Sequence, residues 1–156
     1  MTEAVQDVTP VVQAVDVDAA PARIFELWTQ PEELVRWWPQ AAEVDQRVGG
    51  KIKLVFGPGD VTGEITRYEP PRAFAFTWIR SDYPDITTYV DVAITDLGEG
   101  KSRVEVTHTG WEAVPPEELD HWRMIHRDGW QHFLGVLGDY VAGRPVDKTP
   151  PHGRSE

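Results

Sequence analysis

The sequence contains no cysteine, which excludes disulfide bonds, thiolate metal ligands and a cysteine nucleophile. No apolar run approaches the length of about 20 residues that a membrane-spanning helix needs. The opening residues, MTEAVQDVTP, include acidic side chains but neither the basic region nor the apolar stretch of a secretory signal peptide. These absences predict a cytoplasmic protein that has no membrane partner.

Basic side chains are also scarce, since 15 Lys and Arg face 26 Asp and Glu and give a net charge of −11. Such a surface repels phosphate backbones, so we expect no nucleic-acid partner. The sequence has only five histidines and no HExxH or comparable spacing, so we expect no metal site. It also lacks a glycine-rich phosphate loop and a G-x-S-x-G nucleophile elbow, and we expect no cofactor.

The residues that are present form periodic patterns. Apolar and polar residues alternate over 11–17, which predicts a first strand. Pro21 and Pro31 then suit the first positions of two short helices. From residue 41 to residue 111 the alternation continues, interrupted by glycine- and proline-containing turns, and this predicts a meander of antiparallel strands. We expect about six to seven strands in the whole sheet.

The last predicted element is a long helix from about Pro116 to Ala142, ended by Gly143. An angle of 100° per residue brings several side chains onto one stripe, namely Leu119, Arg123, His126, Trp130, Phe133, Leu134, Leu137 and Val141. No other element is long enough to cover the apolar face of the sheet. The sequence therefore predicts an α+β domain over residues 11–143, in which a curved antiparallel sheet wraps the C-terminal helix. Residues 1–10 are predicted to be a flexible N-terminus, and the proline-rich residues 144–156 a disordered tail.

A strongly twisted sheet that curls around a helix leaves a cavity at one end, which is a candidate binding site. Strand parity predicts that six candidates face this cavity: Phe56, Phe76, Trp78, Val90, Val92 and His108. The helices and the segments that flank them add Trp38, Trp122, Arg123, His126 and Trp130. Core packing also explains these side chains, but seven tryptophans in 156 residues supply more aromatic surface than a minimal core needs.

The polar candidates have more than one interpretation. Because a buried charge is costly without a partner, Arg123 either reaches the cavity mouth, pairs with a carboxylate such as Glu64, or binds an anionic ligand group. His108 and His126 are either satisfied core histidines, ligand contacts or a general base, since imidazole titrates near neutrality. Trp38 and its neighbour Trp37 either clamp an aromatic ligand or pin the second short helix onto the sheet.

Several segments, taken in order, resemble the family named after the activator of the heat-shock-protein-90 ATPase. They are VDAAPARIFELWTQPEELVRWWP, Gly49-Gly50, Gly63-Glu64, Glu69-Pro70-Pro71, FAFTW, THTGW and Gly129-Trp130. The resemblance covers roughly residues 11–143 and implies the helix-grip fold of the START-like (SRPBCC) superfamily. One departure is Gln30, where the family commonly has Asp or Asn before the proline, and this should weaken a helix cap.

Related helix-grip proteins bind lipids, sterols, polyketides or flavonoids, and a few are cyclases or hydrolases. The leading hypothesis is therefore a binding domain whose partner is a hydrophobic small molecule. A second hypothesis is a cyclase, dehydratase or hydrolase that uses the same cavity. A third is a co-chaperone-like protein-interaction module. The sequence leaves open whether there is any catalysis, and whether the protein is a monomer or a homodimer.

Overall fold

The computed structural model describes residues 7–57 and 59–151 of the chain. Its order is one strand, two short helices, six strands, a single 3-10 turn and a long helix. The elements are β1 (Val11–Val17), α1 (Pro21–Thr29), α2 (Pro31–Trp37), β2 (Ala41–Val44), β3 (Lys51–Val55), β4 (Asp60–Glu69), β5 (Ala73–Arg80), β6 (Thr88–Gly98), β7 (Lys101–Thr109), the 3-10 turn Trp111–Ala113, and α3 (Pro116–Val141).

All seven strands form one antiparallel sheet in the order β1-β7-β6-β5-β4-β3-β2. Strands β2 to β7 form a meander in which each strand pairs with the next, and β1 closes onto β7 with Val11 opposite His108. The predicted α+β class, the strand number, the two early helices and the long C-terminal helix are all confirmed.

Strand parity places the apolar side chains as the alternation predicted. On β6, Val90 and Val92 are buried, whereas the intervening Asp91 is partly exposed. On β5, Phe76 pairs with Val90, so their side chains lie on the same face of the sheet. One face of the sheet is therefore buried, and it forms the core together with the helices.

Helix α3 covers this face with a mostly apolar side. Its buried residues are Leu119, Trp122, Ile125, His126, Gly129, Trp130, Phe133, Leu134, Val136 and Leu137. The helical-wheel prediction also placed Arg123 on the buried stripe, but its side chain lies at the border and is only partly buried. Among the described residues, no helix is both long and apolar enough to cross a bilayer.

The predicted flexible N-terminus and disordered tail extend beyond the described residues, since 1–6 and 152–156 lie outside them. Residues 7–10 and 144–151 form no helix or strand. Both segments nevertheless make specific contacts. Asp7 and Thr9 bind Arg123, and Lys148 binds the segment at the end of α2.

Candidate functional site

Three tryptophans from different parts of the fold meet on the concave face of the sheet. Trp78 comes from β5, Trp38 follows α2 directly, and Trp130 comes from the middle of α3. The ring centroids of Trp38 and Trp78 are 6.0 Å apart with the planes nearly parallel, and Trp130 lies 5.1 Å from Trp38 and 5.4 Å from Trp78. Each ring thus contacts the other two, and together they form the centre of the candidate site.

His108 lies beside this cluster, and both of its ring nitrogens have partners. The Nε1–H of Trp130 donates to His108 Nδ1 at 3.0 Å, so Nδ1 must be the unprotonated nitrogen. His108 Nε2 then carries the proton and donates to Thr88 Oγ1 at 2.7 Å. Thr88 Oγ1 in turn donates to the Trp78 carbonyl oxygen at 3.4 Å. His108 is therefore a neutral histidine that links α3 to the sheet, with neither nitrogen free for a substrate.

His126 lies one turn before Trp130 on α3 and has a different pattern. Its Nδ1 is 2.7 Å from the Trp122 carbonyl oxygen, which can only accept, so Nδ1 carries the proton. The other nitrogen, Nε2, is left as an acceptor, and it has no hydrogen-bond partner among the described residues. The imidazole is packed against Trp78 at a centroid distance of 5.9 Å. His126 thus presents an unused acceptor within the aromatic cluster.

Burial holds both imidazoles in the neutral form at neutral pH. Removal from water lowers the pKa of His108 well below its usual value, and the neighbouring His126 lowers it further. Burial also lowers the pKa of His126 to about 4, although its bond to the Trp122 carbonyl acts in the opposite direction. A base with so low a pKa takes up protons weakly, so this chemistry suits hydrogen bonding better than proton transfer.

Two buried indole N–H groups, those of Trp28 and Trp78, have no hydrogen-bond partner within residues 7–57 and 59–151. The contrast with their neighbours is clear, because Trp37 Nε1 donates to the Leu27 carbonyl and Trp111 Nε1 to the His108 carbonyl, each at 2.9 Å. An unpaired buried donor costs about 1–3 kcal/mol of stability. The Trp78 N–H belongs to the central cluster, so a ligand acceptor bound there would satisfy it.

The cavity between these rings is almost filled by the protein itself. It measures about 10 Å³ and is lined by Trp38, Trp78, His126, Gly129, Trp130 and Phe133. A water molecule needs about 10–15 Å³ by the same kind of measure, so there is no room for a ligand without movement of a side chain. At the predicted position the structure thus has only this small space between packed side chains, and an open ligand-binding cavity there stays a prediction.

An open pocket of about 360 Å³ adjoins this filled cavity. It is lined by Trp38, Gln40, Phe56, Phe133, Lys148, Thr149 and Pro150. Trp38 and Phe133 line both spaces, so these two side chains separate the open pocket from the buried one. A larger concavity of about 670 Å³ lies on the outer face of the sheet among charged side chains such as Lys51 and Glu64, away from the aromatic cluster.

The structure brings most of the predicted site residues together. Phe56, Phe76, Trp78, His108, His126, Trp130 and Trp38 form one network of ring contacts. Val90 and Val92 are buried in the sheet that supports these rings. Trp122 lies at the edge of the network, where it stacks on His126 at 5.7 Å and contacts Tyr83 at 5.0 Å.

Arg123 lies apart from this network. Its guanidinium donates to the Thr9 carbonyl oxygen at 2.9 Å and 3.1 Å and pairs with Asp7 at 3.0 Å. Of the three predicted alternatives, the structure shows pairing with a carboxylate, but the partner is Asp7 and not Glu64. The physical reason is the length of the side chain, which lets an arginine at the border of a buried stripe reach a polar partner outside it.

Four residues of the site were not among the site residues predicted from the sequence. Thr88 and Phe133 lie on predicted elements, but neither residue type signals a binding site by itself. Gln40 and Lys148 belong to segments without regular structure, and no spacing rule brings them to the aromatic rings. Within the described parts of the chain, no three His, Asp or Glu side chains converge as metal ligands.

A seven-stranded antiparallel sheet that wraps a long C-terminal helix, with aromatic side chains between them, defines a protein of the helix-grip class. A family model described as "Activator of Hsp90 ATPase homolog 1-like protein" matches residues 18–142. The chain belongs to this family, and the resemblance noted from the sequence is confirmed.

Solved structures with similar folds include three whose descriptions bear on function. An HSP90 activator from Plasmodium falciparum is 23% identical with a TM-score of 0.70, covering 89% of this chain and 99% of that one. DynU16, a putative protein in the dynemicin biosynthetic locus, is 22% identical with a TM-score of 0.73, covering 87% of this chain but 48% of that one. An Aha1 from Colwellia psychrerythraea, solved as a dimer, is 21% identical with a TM-score of 0.68, covering 85% of this chain and 96% of that one.

At these identities the likeness establishes the fold alone. A search of curated proteins finds no match to this sequence. The function must therefore be argued from the residues of this chain.

Proposed function

We propose that this protein binds a small, largely apolar or aromatic molecule between helix α3 and the concave face of the sheet. The observation that carries the proposal is the Trp78 indole N–H, which has no partner in the part of the chain that the structure describes, while the residue as a whole is only 7% exposed. The His126 imidazole, whose Nε2 is an unused acceptor, packs against the Trp78 ring at a centroid distance of 5.9 Å, so the ring cluster carries one donor and one acceptor. Small-molecule sites usually have this composition, in which an apolar and aromatic lining contains a few polar groups.

The adjoining pocket provides a route into this space. Its volume of about 360 Å³ lies within the range of roughly 300–1,000 Å³ that is typical of ligand sites. Trp38 lies directly after α2 and outside any helix or strand, so we expect that its side chain can move without disturbing the sheet. The ligand enters from the open pocket and displaces Trp38, and its acceptor then takes the Trp78 N–H.

Catalysis is the weaker alternative for the same site. His108 uses both nitrogens within the protein, which leaves His126 as the one histidine of the cluster with a free lone pair. With a pKa of about 4, His126 is a poor base at neutral pH. A substrate would first have to raise this pKa, so binding is the function that the geometry favours.

The proposal is tested with two planar probes of the same shape, 2-acetylnaphthalene and 2-ethylnaphthalene. Both should quench tryptophan fluorescence and raise the melting temperature of the full chain. The carbonyl of 2-acetylnaphthalene should accept from Trp78 Nε1 and bind about 2- to 10-fold more tightly, the value of one ordinary hydrogen bond. Trp78→Phe should remove this preference, because it deletes the N–H and keeps most of the ring.

Trp111→Phe is the matched control, since the Trp111 N–H already donates to the His108 carbonyl oxygen. This variant should keep the preference for the ketone. If neither probe binds to protein that is folded by circular dichroism, the proposed function is wrong. The oligomeric state and the cellular location stay predictions from the sequence.

A further inference from the structure

The segment after helix α3 runs over the open end of the aromatic cluster. The Asp147 carbonyl oxygen accepts a hydrogen bond from His132 Nε2 at 2.9 Å, which attaches the segment to α3. The next residue, Lys148, donates from Nζ to the Val35 carbonyl oxygen at 2.6 Å and to the Pro39 carbonyl oxygen at 2.9 Å. Residues 147–150 are therefore fixed across the gap between α3 and the end of α2.

Lys148 has an unusual electrostatic position for a chain with a net charge of −11. Its ammonium group has carbonyl partners, but among the described residues no carboxylate pairs with it. Partial burial lowers the pKa of Lys148, which means that the surroundings do not fully compensate the charge. The two carbonyls are neutral dipoles at the end of a short helix and offset the charge only in part.

Lys148 also lines the open pocket. The other side of that pocket consists of the rings of Trp38, Phe56 and Phe133. An ammonium has three N–H donors, and the two carbonyls use two of them. The third donor and the uncompensated charge are available to a ligand that lies against the rings.

We infer that this pocket binds an aromatic carboxylate, whose ring packs against Phe133 and the displaced Trp38 and whose carboxylate accepts from Lys148 Nζ. The inference rests on the proposed function, to which it adds the charge of the ligand and the residue that recognises it. The simpler alternative is that Lys148 only caps α2, as lysines near helix C-termini commonly do. A cap accounts for the two carbonyl contacts, but it does not supply the missing counter-charge.

The test compares 2-naphthoate with the uncharged 2-naphthamide, which has the same shape, by calorimetric titration of the full chain. Wild-type protein should bind the acid more tightly than the amide, and the preference should fall as salt is added. Lys148→Met keeps most of the length of the side chain and removes the charge. It should weaken binding of naphthoate roughly tenfold or more, the value of a hydrogen bond between charged groups, and change binding of naphthamide less than about twofold.

Two control variants separate charge recognition from capping. Lys148→Arg keeps the charge and the donors and should retain the preference for the acid. Lys101→Met removes an exposed lysine of β7 that pairs with Asp18, and it should leave both affinities unchanged. Any loss of the helix cap would appear as a lower melting temperature, which is measured separately on each variant.

Each outcome decides between the two proposals. If the amide binds and the acid binds no better, or if Lys148→Met leaves the preference intact, the inference is wrong while the proposed function stands. If neither naphthalene binds to folded protein, the proposed function fails as well. If Lys148→Met does not fold, the wild-type protein is tested at low and at high salt. The inference is also wrong if the wild type binds 2-naphthoate no more tightly relative to 2-naphthamide at low salt than at high salt.

Discussion

Trp130 and His108 are joined by a hydrogen bond of 3.0 Å that links the middle of helix α3 to strand β7. Because the indole nitrogen can only donate, this bond fixes which tautomer His108 adopts. The bond thereby also sets the direction of the chain of donors that runs through Thr88 to the Trp78 carbonyl oxygen. Helix and sheet are thus held in register by a buried polar contact within an apolar interface.

Trp130→Phe should test the value of this contact. The change deletes the N–H and leaves His108 Nδ1 as a buried acceptor without a partner, which costs about 1–3 kcal/mol in the free energy of unfolding beyond the lost ring area. Trp78→Phe removes a similar volume from the same cluster but deletes an N–H that has no partner. Urea unfolding should show that Trp130→Phe is the less stable variant by that margin. Equal stabilities would mean that the bond contributes nothing.

The contact illustrates what could be predicted from the sequence. Alternation along β7 was enough to predict that His108 faces inward, and the helical wheel was enough to predict the same for Trp130 and His126. Neither pattern contains the strand register, which places His108 opposite Val90 and near Thr88. The partners of a buried histidine decide whether it is a base or a structural link, and for the His108 ring those partners come from two separate elements, β6 and α3.

The buried histidines should make stability depend on pH. The pKa of His126 is lowered from 6.5 to about 4 by burial, so between these values the unfolded chain binds a proton that the folded chain does not. The free energy of unfolding therefore falls as the pH is lowered through this window. The fall should reach about 3 kcal/mol from His126 alone, at about 1.4 kcal/mol per unit of pKa. His108, whose pKa is also lowered, acts in the same direction.

His126→Phe should reduce this pH dependence, because the phenyl ring does not titrate and of the two buried histidines only His108 still contributes. Urea unfolding at pH values from 7 to 4 measures the slope directly. His121→Gln is the matched control, since His121 lies on the exposed side of α3, and it should leave the slope nearly unchanged. A wild-type stability that stays constant between pH 6.5 and 4 would contradict the burial argument.

Gln30 offers a prediction at the junction of the two short helices. It is the N-cap residue of α2, with φ −94° and ψ 122°, and its side chain makes no capping hydrogen bond. Asp in this conformation accepts a bond from the backbone N–H two or three residues later. Gln30→Asp should therefore raise the free energy of unfolding by about 1 kcal/mol, which corresponds to roughly 2–4 °C in melting temperature. Gln30→Ala should give no such gain. A Gln30→Asp variant with the same stability as the wild type would contradict the prediction.

Two side chains show where sequence patterns stop being informative. Arg123 falls on the apolar stripe by angle, but its length lets it bind Thr9 and Asp7 outside the core. Lys148 lies in a proline-rich segment that composition assigns to a disordered tail, and yet it makes two short contacts with the end of α2. Periodicity predicts on which face of a helix or strand the Cβ atom of a side chain lies. The end of a long side chain, or the course of an irregular segment, depends on the hydrogen-bond and ion-pair partners that the folded chain brings near it.

Gly63 is part of the Gly63-Glu64 pair by which the sequence resembles its family, and the structure gives the pair a physical reason. A Cβ atom on Gly63 would overlap the carbonyl oxygen of Thr77 on the neighbouring strand β5. The backbone N–H of Glu64 also contacts Thr77, because it donates a hydrogen bond to Thr77 Oγ1 at 2.9 Å. Strands β4 and β5 thus approach one another at a point where only glycine fits.

Gly63→Ala should therefore lower the free energy of unfolding by about 1–3 kcal/mol, because the obstacle is backbone and the two strands must separate to relieve it. Gly135→Ala is the matched control, since Gly135 is exposed within α3 and an added Cβ meets nothing within 4 Å. That change should instead stabilise the protein by about 0.5–1 kcal/mol, through the higher helix propensity of alanine. The same substitution thus has opposite predicted signs at the two sites, and urea unfolding of both variants checks them. A Gly63→Ala variant as stable as the wild type would show that β4 and β5 have room that the structure does not give them.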